Sequence, residues 1–186
     1  NGYARPMLLV HNTSGMAQLN STHSLQTIHS GPVAGLEATG YLAGQFGEPN
    51  VIATDMGGTS FDIGLVTADG VKFYDFNPVI DRWLVSTPMT YLHTLGAGGG
   101  SIARYDRLWG AVEVGPESAG SDPGPACYGR GGKLPTTTDA NLVLGYLDPD
   151  NYAGGTIKLN RRRAERAIEE YVAKPAGLSL IDAAKA

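Results

Sequence analysis

Apolar residues at a spacing of three to five positions predict a helix early in the chain. The helix is expected to run from about residue 32 to 46, with Pro32 in its first turn, where a missing backbone N–H costs nothing. We expect it to pack on a sheet through Leu36, Leu42 and Phe46. The pattern is formed by five residues: Val33, Leu36, Tyr41, Leu42 and Phe46.

Short apolar runs separated by turn residues predict strands. Residues 51–55, 61–67 and 71–75 are expected to form consecutive antiparallel strands, with Gly57-Gly58 in the first turn and residues 68–70 in the second. Residues 101–105 and 111–114 predict two further strands. Between 115 and 138 the chain is rich in proline and glycine and has no clear periodicity, which favours a functional loop.

The last third of the chain predicts helices. Thr138 and Asp139 are expected to cap a helix over 140–147, and Asn160 to cap another that begins at 161. The stretch 178–186 predicts a final helix. The apolar stripe of the second helix is Ala164, Ala167, Ile168 and Val172.

Composition narrows the class of protein. The chain has 186 residues, a formal net charge of -4 and only 17% charged residues, so no basic field favours nucleic acid or an acidic membrane. It contains no apolar run near the roughly 18 residues that a membrane span needs. Cys127 is the single cysteine, which precludes an internal disulfide and fits a cytoplasmic protein. Because Asn1 is not an initiator methionine, we expect a fragment of a longer chain.

The stretch DMGGTSFDIG, residues 55–64, predicts a phosphate-binding turn. Gly57 and Gly58 let the main chain approach a ligand and direct N–H groups at it, and the Thr59 hydroxyl can add a donor. Asp55 would repel a bare phosphate, so hydrated Mg²⁺ is the natural mediator, and Asp62 could orient water or metal. The alternative is an ordinary tight hairpin.

A second glycine cluster, LGAGGGS, strengthens the ligand interpretation. Glycine costs conformational entropy of about 0.5–1 kcal/mol against alanine, so Gly98, Gly99 and Gly100 together are unusual for a routine turn. Two such loops in one small chain suggest two backbone surfaces that approach one ligand, with Ser101 at the end of the second. The alternative is a flexible link.

These motifs resemble the hydantoinase A/5-oxoprolinase family. The runs HSGPVAG, NVIATDMGGTSFDIGLV, HTLGAGGGSIA, VGPESAGSDPGPACYGRGG and TTTDANLVLGYLDPDNY occur in the family's order between about residues 16 and 159. The run YDFNPVIDRWLVSTPM brings the resemblance closer to the ATP-binding subunits of acetone and acetophenone carboxylases.

The resemblance implies an α/β fold: one lobe of an actin-like ATPase, of the sugar kinase, Hsp70 and actin superfamily, with a β-hairpin phosphate motif. Residues 1–159 would form this partial lobe and 160–186 a truncated helical segment. It implies ATP and Mg²⁺, or another divalent metal, as cofactors, and a hydantoinase B-type partner subunit. The superfamily binds ATP between two lobes, and this chain carries one D-x-G-G-T motif, so the chain alone is expected to be inactive.

The resemblance also implies residue roles. Asp55 and Asp62 would be catalytic, with Asp55 a metal ligand. The nucleotide would contact Gly57, Gly58, Thr59, Gly98, Gly99, Gly100 and Ser101. The implied reaction is phosphoryl transfer to bicarbonate and a ketone enolate. The alternatives are ATP-dependent opening of 5-oxoproline or a hydantoin, and a non-catalytic module that senses nucleotide or docks a subunit.

Three other side chains are candidates for chemistry. His93 and Asp139 are possible metal ligands, although a structural histidine and a helix cap explain them as simply. Cys127 could be a nucleophile, but no neighbouring residue in the sequence activates it, which favours a packed thiol.

Overall fold

The computed structural model describes Gly2 and residues 4–69 and 74–186. The chain forms two compact units, one of Asn1–Asp55 with Asp62–Thr94 and one of Met56–Phe61 with Leu95–Ala186. None of the helices in the described ranges is long and apolar enough to span a bilayer.

The first unit contains one long helix and short strands. Its elements are β1 (Leu8–Val10), β2 (Met16–Gln18), two 3-10 turns (Leu19–Ser21 and Ser24–Thr27), α1 (Ser30–Phe46), β3 (Val51–Met56), β4 (Phe61–Val66), β5 (Tyr74–Asp75), β6 (Val79–Ile80), β7 (Trp83–Leu84), β8 (Met89–Thr90) and β9 (His93–Leu95).

Helix α1 confirms the predicted helix and begins two residues earlier. It ends at Gly47, whose φ of 72° is the left-handed conformation that glycine adopts without a steric penalty. The predicted packing face is only partly right. Leu36 is buried, but Leu42 and Phe46 are 53% and 78% exposed. The face that the unit buries instead carries Val33, Leu36 and Ala43.

Strands β3, β4 and β9 form one sheet in that order. Only four residues join β3 to β4, so these neighbours run antiparallel, because a parallel pair needs a long crossover. This confirms the predicted hairpin with Gly57-Gly58 in its turn. Of the predicted third strand, Tyr74 and Asp75 pair with β8. Residues 71–73 and the predicted turn residue Gly70 lie outside the described residues.

The second unit contains a long hairpin and the C-terminal helices. The hairpin, β10 (Ser101–Asp106) and β11 (Ala111–Ser118), is antiparallel and confirms the two predicted strands. A 3-10 turn follows at Ala126–Tyr128. The helices are α2 (Thr137–Val143), α3 (Arg161–Ile168), a π-helical segment (Glu169–Ala173), α4 (Lys174–Ala176) and α5 (Leu180–Lys185).

The core of the second unit lies between the Ala126–Tyr128 turn and these helices. The predicted α3 stripe is confirmed, since all four of its residues are at least 96% buried. Asn160 caps α3 by accepting the Arg163 N–H at 3.1 Å, as predicted. Residues 160–186 contribute Ala164, Ile168, Val172, Ala173 and Ala183 to this core, together with Cys127 and Leu142.

Candidate functional site

The two glycine-rich loops bind each other through their backbones. In the first loop the N–H of Gly57 donates to the Ser60 carbonyl at 2.8 Å. The N–H groups of Gly99 and Gly100 then donate to the carbonyls of Gly57 and Gly58, at 2.9 and 2.6 Å. The N–H groups of Gly57, Gly99 and Gly100 therefore bond to carbonyls of the two loops, and those of Gly99 and Gly100 join one loop to the other.

Close approach of the two backbones explains why glycine is needed in the second loop. A Cβ on Gly98 would lie 2.7 Å from the backbone nitrogens of Thr59 and Ser60, and 2.8 Å from the Gly57 oxygen. A Cβ on Gly100 would lie 2.8 Å from the Gly58 oxygen. These contacts are with backbone, which cannot move aside as a flexible side chain could.

Gly98→Ala is therefore expected to separate the loops and destabilise the protein by about 1–3 kcal/mol. Urea unfolding would measure this effect. Gly96→Ala is the matched control, because a Cβ at Gly96 meets nothing within 4 Å and its φ is not left-handed. Equal behaviour of the two variants would contradict the loop-packing explanation.

The first turn of α2 fixes the same loops from another direction. The backbone N–H and the hydroxyl of Thr138 both donate to the Gly99 carbonyl, at 2.8 and 2.7 Å. Ala119, just after β11, donates its N–H to the Gly100 carbonyl at 2.8 Å. The loops are thus held by two further segments of the second unit.

A cavity of about 480 Å³ opens beside these loops. Its described lining has no charged side chain and combines glycine backbone and hydroxyl groups with apolar and aromatic side chains. The lining consists of Met56, Gly57, Gly58, Thr59, Gly99, Gly100, Gly120, Ser121, Pro125, Tyr128, Thr138, Asn141, Leu147 and Tyr152.

Several donors at this cavity have no partner within the described residues. The Thr59 and Ser121 hydroxyls and the Asn141 side-chain amide make no hydrogen bond to that part of the chain, and neither does the N–H of Gly58. Unused neutral donors around a glycine backbone can bind anionic oxygens.

The predicted nucleotide-binding residues divide into two groups. Gly57, Gly58, Thr59, Gly99 and Gly100 line the cavity. Gly98 and Ser101 do not. Ser101 is fully buried, and its hydroxyl accepts the Gly98 N–H at 2.8 Å, so it stabilises the loop from inside.

A pair of tyrosines in the cavity wall was missed by sequence reasoning. The Tyr128 and Tyr152 hydroxyls are 2.9 Å apart and their ring centroids 5.7 Å apart. Burial, and then the hydrogen bond to Tyr152, raise the pKa of Tyr128 above its usual value. Tyr128 lies in the proline- and glycine-rich stretch, and Tyr152 lies 24 residues further on. No regular spacing links them, so the sequence carries no signal for the pair.

Asp139 is fully buried and anchors the loop that supplies part of the cavity wall. One carboxylate oxygen accepts the Cys127 N–H at 2.7 Å. The other accepts the N–H groups of Ala126 and Thr136, at 3.2 and 2.9 Å, and the Thr136 hydroxyl at 2.8 Å. Thr136, rather than Thr138, is the N-cap of α2, so the helix begins at Thr137 instead of 140. Protein donors occupy both oxygens, which supports the cap and not the metal ligand.

Cys127 is a packed thiol. It is fully buried, and burial together with the nearby charge of Asp139 raises its pKa far above the usual value. A nucleophilic cysteine needs a lowered pKa and access to substrate. The structure therefore favours the packing role for Cys127 over the nucleophile.

Asp55 and Asp62 line a groove of about 200 Å³ in the first unit, with Thr54 and Leu92 among the other lining residues. The Thr94 hydroxyl donates to an Asp62 oxygen at 2.5 Å, whereas the Asp55 carboxylate makes no hydrogen bond to a described residue. His93 is exposed on β9. Among described residues no cluster of three or more His, Cys, Asp or Glu side chains could hold a metal alone.

The mixed α/β fold matches a solved structure of acetone carboxylase in its nucleotide-free state. The TM-score is 0.83 at 37% identity, over 96% of this chain and 25% of that chain. The chain belongs to the hydantoinase/oxoprolinase family, whose model matches residues 3–186. This confirms the family resemblance.

Two relatives show what kinds of protein this chain is similar to. The acetophenone carboxylase gamma subunit of Aromatoleum aromaticum is 50% identical over 98% of this chain and 25% of its own length. The caprolactamase subunit alpha of Pseudomonas jessenii is 44% identical over 98% of this chain and 26% of its own length. The chain thus spans about a quarter of the relatives that it matches.

Proposed function

We propose that this chain is an actin-like lobe that binds the phosphates of ATP in the cavity beside the two glycine-rich loops. The observation that carries the proposal is the set of donors in the lining: the Gly58 N–H and the side chains of Thr59, Ser121 and Asn141 have no partner among the described residues. Such a surface can direct several hydrogen bonds to phosphate oxygens without a lysine.

The neutral lining favours a metal mediator. No cationic side chain lines the described cavity, so a divalent metal would neutralise part of the charge of a bound triphosphate. Mg²⁺, when bound, supplies charge neutralisation in phosphoryl transfer. We propose Asp55 as a ligand of this ion, with Asp62 held by Thr94 in support. Both carboxylates line the groove of the first unit, and the Asp55 carboxylate has no partner among described residues. His93 stays a proposed ligand without geometric support.

The proposed reaction of the complete protein is ATP-dependent carboxylation of a ketone. Phosphoryl transfer to bicarbonate and to a ketone enolate would precede their joining. The 50% identity to an acetophenone carboxylase subunit supports this assignment. Because that relative is a subunit, we also propose a partner subunit of the hydantoinase B type. We propose a cytoplasmic location as well, because the single cysteine, Cys127, fits a reducing compartment.

The second candidate is ATP-dependent opening of a cyclic amide. The 44% identity to a caprolactamase subunit over nearly the whole chain favours it specifically. Both candidates use the same nucleotide cavity and differ in the group that receives the phosphoryl.

Substrate-dependent ATP hydrolysis distinguishes the candidates. The complete enzyme with its partner subunits would be assayed with acetone or acetophenone, and with caprolactam, 5-oxoproline or hydantoin. Stimulation by a ketone with bicarbonate is the expected result. Stimulation by a lactam alone would select the second candidate. An enzyme that binds no ATP would refute both.

A further inference from the structure

A second groove of about 380 Å³ lies in the second unit and shares no lining residue with the glycine cavity. Its buried floor includes Ala126 and Ala167. Charged and polar side chains form much of the rest. The lining consists of Ala126, Gly132, Lys133, Arg163, Arg166, Ala167, Glu170 and Tyr171.

Two elements bring the three cations to this groove. Arg163 and Arg166 are three residues apart on α3, so they lie on one helix face. Lys133 comes from the loop that turns at Gly129. The Nε atom of Arg163 would lie 3.9 Å from a Cβ on Gly129, which places the guanidinium against this loop.

Packing fixes the lysine's loop. A Cβ on Gly132 would lie 2.1 Å from the Gly124 carbonyl oxygen, so the backbone just before Lys133 packs directly against the backbone at Gly124. Lys133 is thus carried by a constrained segment rather than by a free loop.

The three cations have no partner within the part of the chain that the structure describes. Arg161, in the same helical turn as Arg163, pairs with Glu165 at 2.9 Å and donates to the Val143 carbonyl at 2.8 Å. In contrast, Lys133, Arg163 and Arg166 have no ion pair or side-chain hydrogen bond within residues 4–69 and 74–186. Arg163 also lies in the first turn of α3, where a positive charge opposes the helix dipole.

The π-helical segment Glu169–Ala173 supplies the remaining polar residues of the groove. Such segments are rare and often occur at functional sites. It carries Glu170 and Tyr171, so the groove has three cations against one carboxylate, within a chain whose net charge is -4. A cleft lined by one sign of charge concentrates ions of the other sign.

We propose that this groove binds a phosphate group, either free or on a small metabolite. The excess of two positive charges matches a phosphate dianion better than a single carboxylate. The planar guanidiniums of Arg163 and Arg166 can each donate two hydrogen bonds to phosphate oxygens, and Lys133 adds a point charge. The site is separate from the proposed nucleotide cavity and does not depend on it.

Calorimetric titration with inorganic phosphate, at pH 7.5 and low ionic strength, tests the proposal. The double variant Arg163→Gln/Arg166→Gln is expected to weaken binding at least about tenfold, since each lost charge-assisted hydrogen bond is worth more than a neutral one. Arg162→Gln is the matched control, because Arg162 is exposed in the same turn but does not line the groove. It should change affinity less than about twofold, the scale of a screened surface charge.

Three outcomes would overturn the proposal: no phosphate binding to the wild-type protein, unchanged binding in the double variant, or equal loss in Arg162→Gln. If the double variant does not fold, Lys133→Gln on the exposed loop should still weaken binding several-fold, and unchanged affinity there would overturn it too.

Two further titrations define the ligand. Acetate should bind far more weakly than phosphate, and equal affinity would contradict the phosphate assignment. Glycerol 2-phosphate tests the source of the group. Binding of the ester supports a phosphorylated metabolite, and its exclusion alongside phosphate binding supports free phosphate.

Discussion

Asp55→Asn in the complete enzyme should lower substrate-dependent ATP turnover by roughly 10²–10³, equivalent to about 3–4 kcal/mol of transition-state stabilisation. The substitution nearly preserves shape and removes the charge expected to hold Mg²⁺. Its effect should fall mainly on kcat, because metal positioning matters most as charge develops during phosphoryl transfer. Steady-state kinetics at saturating ATP and Mg²⁺ would measure it.

The fold should survive this change, because Asp55 is exposed and makes no hydrogen bond to a described residue. Asp69→Asn provides the matched control, since Asp69 is also exposed in the first unit and lines none of the described cavities. It should leave turnover unchanged. Near-normal turnover in folded Asp55→Asn would decide for an ordinary hairpin and against a metal ligand.

Asp139→Asn should destabilise the protein by about 2–4 kcal/mol. The asparagine retains one acceptor oxygen but directs an NH₂ group at buried N–H donors that now reach a carboxylate. That loss is a large fraction of the roughly 5–15 kcal/mol that stabilises a typical domain. Urea unfolding should show a lower midpoint with an unchanged slope.

Asp148→Asn is the control for this prediction. Asp148 is exposed and accepts a single backbone N–H, from Asp150 at 2.9 Å, so its loss should cost less than about 0.5 kcal/mol. A metal role for Asp139 predicts something different: a chelator would lower the unfolding midpoint of the wild-type protein. The hydrogen-bonded cap predicts no effect of chelator.

Local patterns predicted the elements of the fold well, because they reflect interactions close in sequence. The Asn160 cap and the apolar stripe of α3 depend on one helix alone, and the structure confirms both. The packing of α1 was predicted less well. Leu42 and Phe46 satisfy a helical period, yet they are exposed, because the buried face depends on what the sheet presents. Gly64 of β4, for instance, leaves room for the Leu36 side chain, which no pattern within α1 reveals.

In the candidate site, too, local features were predicted and features that depend on distant contacts were not. The two glycine clusters were recognised as unusual, and five of the predicted residues line one cavity. The reason for the glycines was incomplete, however, since Gly98 serves loop packing and Ser101 is buried behind it. Thr138 and the tyrosine pair reach the cavity through contacts distant in sequence, such as the bond from Thr138 to Gly99. Contacts between residues far apart in the chain produce no periodic pattern in the sequence.

The joined loops constrain how this protein can be re-engineered. Each of two successive carbonyls in the first loop accepts a backbone N–H of the second, and neither bond involves a side chain. A loop transplanted from a relative therefore has to match a backbone path, not a set of side chains. Exchanging one loop alone would break that register even if every residue at the cavity surface were kept, so the smallest unit that can be transferred is the pair.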